Sequence, residues 1–165
     1  MAADVRVEAG IGFPDTGDGN LWVAGAVIVD DTGRAFAQRR SPDRKVFPNC
    51  WDIVGGHVEA GEDMLAAIRR EVAEETGWEL TGILADLGYL AWTPEDGVER
   101  HEVDYLVRVR GDLSAPKLEP GKHTEFMWVA EDDVHLLRDH RDPGEYFIVD
   151  IVALGLERAR ELLRP

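Results

Sequence analysis

Residues 1–20 are polar and rich in glycine and aspartate, and only "VRVEA" alternates long enough to predict a short strand. "LWVAGAVIV" (21–29) is apolar and β-branched and predicts a buried strand. "DDTG" (30–33) predicts a turn, and the alternation of "RAFAQRR" (34–40) predicts the returning strand of a hairpin. After the polar loop "SPDRKVFPN", "CWDIVGGHVEAGE" reads as short strands broken by glycines, and residues 63–76 carry the first helical period. "LTGILADLGYLAWT" (80–93) and "ERHEVDYLVRVRG" (99–111) predict two long antiparallel strands joined at "PEDG". A strand follows at "EFMWVA" (125–130), then "EDDVHLLRDH", whose first residues suit a helix N-terminus, then the amphipathic helix "EYFIVDIVALGLERARELL". Strands on both sides of one central helix, with another helix at the end, predict an α/β layered domain with a mixed sheet. Residues 1–19 read as a partly flexible lead-in and 20–165 as one domain, undivided by repeats or linkers.

Composition narrows the function. A chain of 165 residues is one domain by length, and its net charge of −15 argues against a nucleic-acid or anionic-membrane surface. A small phosphorylated ligand stays compatible if metal ions sit between the two. The single Cys50 rules out an internal disulfide and cysteine-built metal clusters. No basic segment followed by an apolar one marks a signal peptide, and no apolar run spans a bilayer, so the expected compartment is the cytoplasm.

On a helical wheel of about 100° per residue, Leu65, Ile68 and Val72 form the core-facing stripe of residues 63–76, and Gly77 is placed to end the helix. Glu71, Glu74 and Glu75 occupy an adjoining arc, where like charges cost roughly 0.2–0.5 kcal/mol per pair. A solvated glutamate face accounts for them. So does a hard divalent cation such as Mg²⁺, which takes oxygen ligands and removes the repulsion. Arg70 is placed to reach back toward the helix start and orient a carboxylate.

The glycine-rich approach separates the two readings. Gly56, five residues, Glu62, seven residues, then Arg70-Glu71-Val72-Ala73-Glu74-Glu75-Thr76-Gly77-Trp78 resembles the Nudix box, G-x5-E-x7-R-E-U-x-E-E-x-G-U with U apolar, at every fixed position. Seven fixed letters at roughly 7% each give a chance match of about one in a hundred million per starting position. The resemblance extends over residues 20–140, with Val54 standing where many members carry proline.

The resemblance implies an α/β/α sandwich with a loop–helix–loop motif on a mixed sheet. It implies hydrolysis of a pyrophosphate bond in a nucleoside diphosphate linked to another moiety, by water attack on phosphorus. Glu74 and Glu75 are the principal Mg²⁺ ligands so implied, with Mn²⁺ as substitute. Glu71 is a further ligand or the general base, Gly55 a backbone ligand, and Glu62 and Arg70 position the others. The acid that often completes such a site from outside the box is assigned to Glu125, ahead of Glu99 and Glu102. Many relatives are homodimers.

Outside the box, Arg39, Arg40, Arg44 and Lys45 form a basic cluster that either grips phosphates or only solubilises a loop, and Arg39, Arg40 and Lys45 are the substrate-binding candidates taken from it. His57 reads as a loop residue. Trp51, Trp78 and Trp128 read as core, Trp92 and Phe47 as candidates for base stacking. Two alternatives share the fold. An isomerase resembling isopentenyl-diphosphate isomerase needs a cysteine beyond "WD" and a degenerate box, whereas Cys50 precedes Trp51 and this box is intact. A non-catalytic sensor commonly loses box glutamates, and this chain keeps them.

Overall fold

The computed structural model describes residues 4–163. The strand Leu21–Ile28 (β2) is buried on both faces along its second half, and it lies inside a sheet rather than at an edge. It runs parallel to Arg100–Arg110 (β7) and antiparallel to Val54–His57 (β5). Glu79–Trp92 (β6) lies antiparallel to β7 through three register shifts, and Arg6–Val7 (β1) adds a parallel edge, giving a mixed five-stranded sheet of order β1-β6-β7-β2-β5.

The expected hairpin between residues 21–29 and 34–40 is corrected by the pairing. The turn is present, with Gly33 at φ 81 and the Asp30 carbonyl accepting from the Gly33 amide at 3.4 Å. Beyond a single bridge, Val29 to Ala35, the strands part, and Ala35–Arg40 (β3) enters a second, antiparallel sheet between Trp51–Asp52 (β4) and His123–Val129 (β8). The reason is burial on both faces: Phe36 packs into one apolar cluster while Ala35 and Ala37 pack into the other. Only a central strand meets that demand.

Two helices cover opposite faces. Met64–Thr76 (α1) packs Met64, Ile68 and Val72 against Trp22, Ile28 and Tyr105. Phe147–Leu162 (α2) packs Ile151, Val152 and Leu156 against Val27, Leu87 and Leu106. The result is the α/β/α sandwich with a mixed sheet that the sequence implied. The acid-led segment after β8 is a 3₁₀ helix, Glu131–Arg138, without a side-chain cap. Val5, Val7, Ile11 and Phe13 pack beside the α1 cluster, and the Thr16 hydroxyl donates to the Glu62 carbonyl at 2.8 Å.

Candidate active site

Two devices fix the ends of α1. The Asp63 carboxylate accepts from the Ala66 amide at 2.8 Å, and Gly77, in the left-handed region at φ 76, donates its N–H to the Ala73 carbonyl at 2.9 Å. The buried stripe is Met64, Ala67, Ile68 and Val72, with the expected member Leu65 only half-buried. Glu75 joins that buried side at 4% exposure.

At this depth Glu75 has few partners. Its Oε1 accepts from the Gly55 amide at 2.8 Å and its Oε2 from Gln38 Nε2 at 3.3 Å, while His123 Nδ1 lies 3.7 Å from Oε2. Burial pushes its carboxyl well above the usual range, the Gly55 hydrogen bond opposes this, and the charges of Glu71, Asp52 and Glu119 push it further up. Burial also raises Glu71, against the pull of Arg70.

Arg70 supplies the counter-charge that the carboxylates need. Its Nε and Nη2 donate to Glu62 at 2.8 and 2.9 Å, Nη1 to Glu71 at 2.7 Å and Glu74 at 3.1 Å, and Nη2 also to the His57 carbonyl at 2.9 Å. The Glu62 carboxylate, drawn below its usual range by this arginine, also accepts from the Glu59 amide at 3.0 Å. Glycine is required in this tight space: a Cβ on Gly56 would lie 2.3 Å from Glu71 Oε1, and one on Gly55 2.5 Å from the Ala24 carbonyl oxygen.

These groups form one wall of a pocket of about 290 Å³. The opposite wall is basic and comes from β3, the loop after it, and the start of β8: Arg40, Arg44, Lys122 and His123. Asp52 lies between the walls and binds Arg40 Nη1 at 3.1 Å. The structure thus brings together Gly55, Arg70, Glu71, Glu74, Glu75 and Arg40, with Glu62 behind Arg70. Three other candidates lie apart from this pocket. Arg39 binds Glu125 at 2.9 Å and stands over Trp51 on the opposite sheet face, and exposed Lys45 lies outside the lining.

Strand parity explains the separation. On β3, Gln38 and Arg40 face the pocket and Arg39 the other side. The pairing of β8 skips Thr124, matching Arg39 to Glu125 but Arg40 to His123, so His123 turns inward and Glu125 outward. The acids outside the box whose charges reach Glu75 are Asp52, which also lines the pocket, and Glu119. Sequence reasoning missed Glu119, Lys122, His123 and Gln38; the bulge that aims His123 leaves no residue-type signal.

Among the described residues no three His, Cys, Asp or Glu side chains are arranged to hold a metal ion; Arg70 holds Glu71 and Glu74 instead. The donor chemistry nevertheless fits a hard divalent cation. Carboxylate oxygens stripped of water repel one another across the mouth of the pocket, and Glu71 and Glu75 are both raised for that reason.

A NUDIX domain profile matches residues 19–150. The chain belongs to the Nudix family. Its Nudix relatives include the nucleoside triphosphatase NudI of Escherichia coli, 31% identical over 117 residues covering 65% of this chain and 80% of NudI. Another is an isopentenyl-diphosphate Delta-isomerase from Frankia alni, 33% identical over 108 residues covering 62% of this chain and 54% of the isomerase. The chain spans about half the length of some curated relatives that it matches. A crystal structure of a MutT Nudix hydrolase from Burkholderia pseudomallei superposes with TM-score 0.64 and 26% identity, covering 86% of this chain and 98% of that one. No helix among the described residues is long and apolar enough to cross a membrane.

Proposed function

We propose that this Nudix domain hydrolyses the pyrophosphate bond of a nucleotide, with a nucleoside triphosphate as the favoured substrate and Mg²⁺ or Mn²⁺ as the metal. The observation that carries this reading is one pocket lined by the box residues Glu71, Glu74 and Glu75 together with the basic Arg40, Arg44 and Lys122. Glu71, Glu74 and Glu75 would hold the metal with the Gly55 carbonyl, and Asp52 and Glu119 are the outside acids whose charges reach Glu75. When bound, the metal supplies a lowered water pKa and neutralises charge on the leaving phosphate.

The protein's own groups do the rest. Arg70 positions Glu71 and Glu74 through Nη1 and is itself anchored on Glu62. Glu71, raised by burial, is placed to take a proton from the attacking water. Arg44 and Lys122 meet phosphate oxygens across the pocket. The likeness to the NudI triphosphatase of E. coli supports a triphosphate over other nucleotides. The isomerase reading lacks a thiol in the pocket: Cys50 is buried elsewhere, its Sγ donating to the His140 carbonyl at 3.4 Å.

A screen of phosphate and pyrophosphate release over nucleotides with Mg²⁺ or Mn²⁺ tests this directly. Glu74→Gln and Glu75→Gln should each lower kcat by at least about a hundredfold, the scale of a lost electrostatic contact in the transition state. Undiminished hydrolysis in both variants would remove the site assignment. Isomerisation of a prenyl diphosphate without phosphate release would replace the activity.

A further inference from the structure

The basic wall is built from two chain segments that are locked together. Ser41, almost fully buried, donates its amide to the Lys122 carbonyl at 2.8 Å, and its hydroxyl reaches the Gly121 carbonyl at 3.1 Å and Asp43 at 2.7 Å. The Arg44 amide closes the turn on the Ser41 carbonyl at 3.2 Å. The turn that carries Arg44 and the strand start that carries Lys122 and His123 therefore form a single unit.

That unit presents polar atoms without partners to the pocket. Arg44 Nη1 and His123 Nδ1, both on residues that line the pocket, are buried and make no hydrogen bond within the protein, and the His123 side chain is only 3% exposed. Buried polar atoms left unpaired are destabilising and rare, so such a group calls for a ligand or water. The charges on this wall are not equivalent. Arg40 pairs with Asp52 at 3.1 Å and the half-exposed Lys122 with Glu119 at 3.1 Å, whereas Arg44 forms no ion pair among the described residues.

We propose that Arg44, Lys122 and His123, set by Ser41, form a subsite for a terminal phosphate of the substrate. This rests on the pyrophosphohydrolase reading and adds to it the substrate class: a chain ending in a phosphate monoester. A phosphate inside a diester-linked chain carries one negative charge, and a terminal one carries approximately 1.5 to 2 at neutral pH. A dehydrated guanidinium and an ammonium on one wall match the second kind, with the metal-bound phosphates against α1. The buried, unpartnered Nδ1 of His123 completes the cradle.

Titration calorimetry with inorganic pyrophosphate as the probe, in the presence of Ca²⁺ to hold the acidic wall without turnover, reads this subsite independently of catalysis. Arg44→Met should weaken pyrophosphate binding at least about tenfold, as loss of a charge-assisted hydrogen bond implies. Arg158→Met, on α2 and away from the pocket, should bind as the parent does. In kinetics, Arg44→Met should raise KM for a nucleoside triphosphate far more than for ADP-ribose, whose phosphates are both internal. Ser41→Ala should raise the triphosphate KM with kcat held, and Ser41→Thr should restore it. Unchanged pyrophosphate affinity in Arg44→Met overturns the subsite even where hydrolysis is intact, and equal losses on both substrates overturn the terminal-phosphate assignment. Absence of hydrolysis on every nucleotide, with pyrophosphate binding still dependent on Arg44, refutes the enzymatic reading and leaves the anion subsite standing.

Discussion

Arg70→Ala is the perturbation whose cost the structure defines most fully. One guanidinium makes five hydrogen bonds, two to Glu62, one each to Glu71 and Glu74, and one to the His57 carbonyl. They do not contribute equally. Glu74 is about half exposed, and its pairing is screened, contributing roughly 0.5 kcal/mol. The forked pair with Glu62 and the contact with Glu71 are nearly shielded from water, at 14% and 12% exposure, and each hydrogen bond there is worth about 1.5–3 kcal/mol. Because one cation serves them all the contributions do not add, and the loss should be about 3–5 kcal/mol, the cost of breaking a largely buried ion pair. Urea unfolding followed by tryptophan fluorescence, first with EDTA, measures it. Saturating Mg²⁺ should shrink the deficit, since a cation on Glu71 and Glu74 substitutes for part of the missing charge. Arg70→Lys, with one ammonium for a five-donor fork, should recover less than half. A deficit below about 1 kcal/mol in EDTA, or one that Mg²⁺ leaves unaltered, would refute the role given to this arginine.

Two further outcomes follow from the fold. Asp63→Ala removes the α1 cap and should cost about 1 kcal/mol, seen by calorimetry as a Tm lower by roughly 2–4 °C; an unchanged Tm would mean the cap contributes nothing. Asp104 is fully buried against Glu102, the two carboxyls sharing a hydrogen bond, and lies where a Cβ on Gly25 would be 1.8 Å from its Oδ1. Burial first, then the neighbouring Glu102, raises it well above the ordinary aspartate value of about 3.9. The folded state therefore holds the proton that the unfolded state releases, so stability is complete below that value and falls as pH rises toward the raised one. Asp104→Asn should flatten the decline of Tm from acid to neutral pH, and an identical slope in the variant would count against a protonated Asp104.

The sequence revealed most where the chemistry is local. The spacing from Gly56 to Trp78 located α1, its terminal glycine and the three glutamates, because one helix turn fixes their relations. The long strands β6 and β7 fell within a residue or two of their expected ends, since alternation with a glycine turn is also a short-range signal. What escaped was set at long range. β3 left its partner because both its faces needed cover, which no alternation records. Glu125 looked like the outside acid, but its pairing with Arg39 turns both outward, and one skipped residue on β8 turns His123 inward instead. Glu75 read as flanking the core but lies within it, because Gln38 and His123 from the second sheet close over it.

One tether links these distant parts. The last residue of α1 accepts at its carbonyl from the Lys117 amide at 2.8 Å, and Trp78 Nε1 donates to the Asp112 carbonyl at 2.9 Å. The segment that ends in Lys122 is thus moored to the C-terminal end of the glutamate helix. The stretch from 117 to 122 therefore spans two fixed points, the end of α1 and the Ser41 anchor, and its length has to match the distance between them. Residues inserted there would have to loop outward, since neither end is free to move.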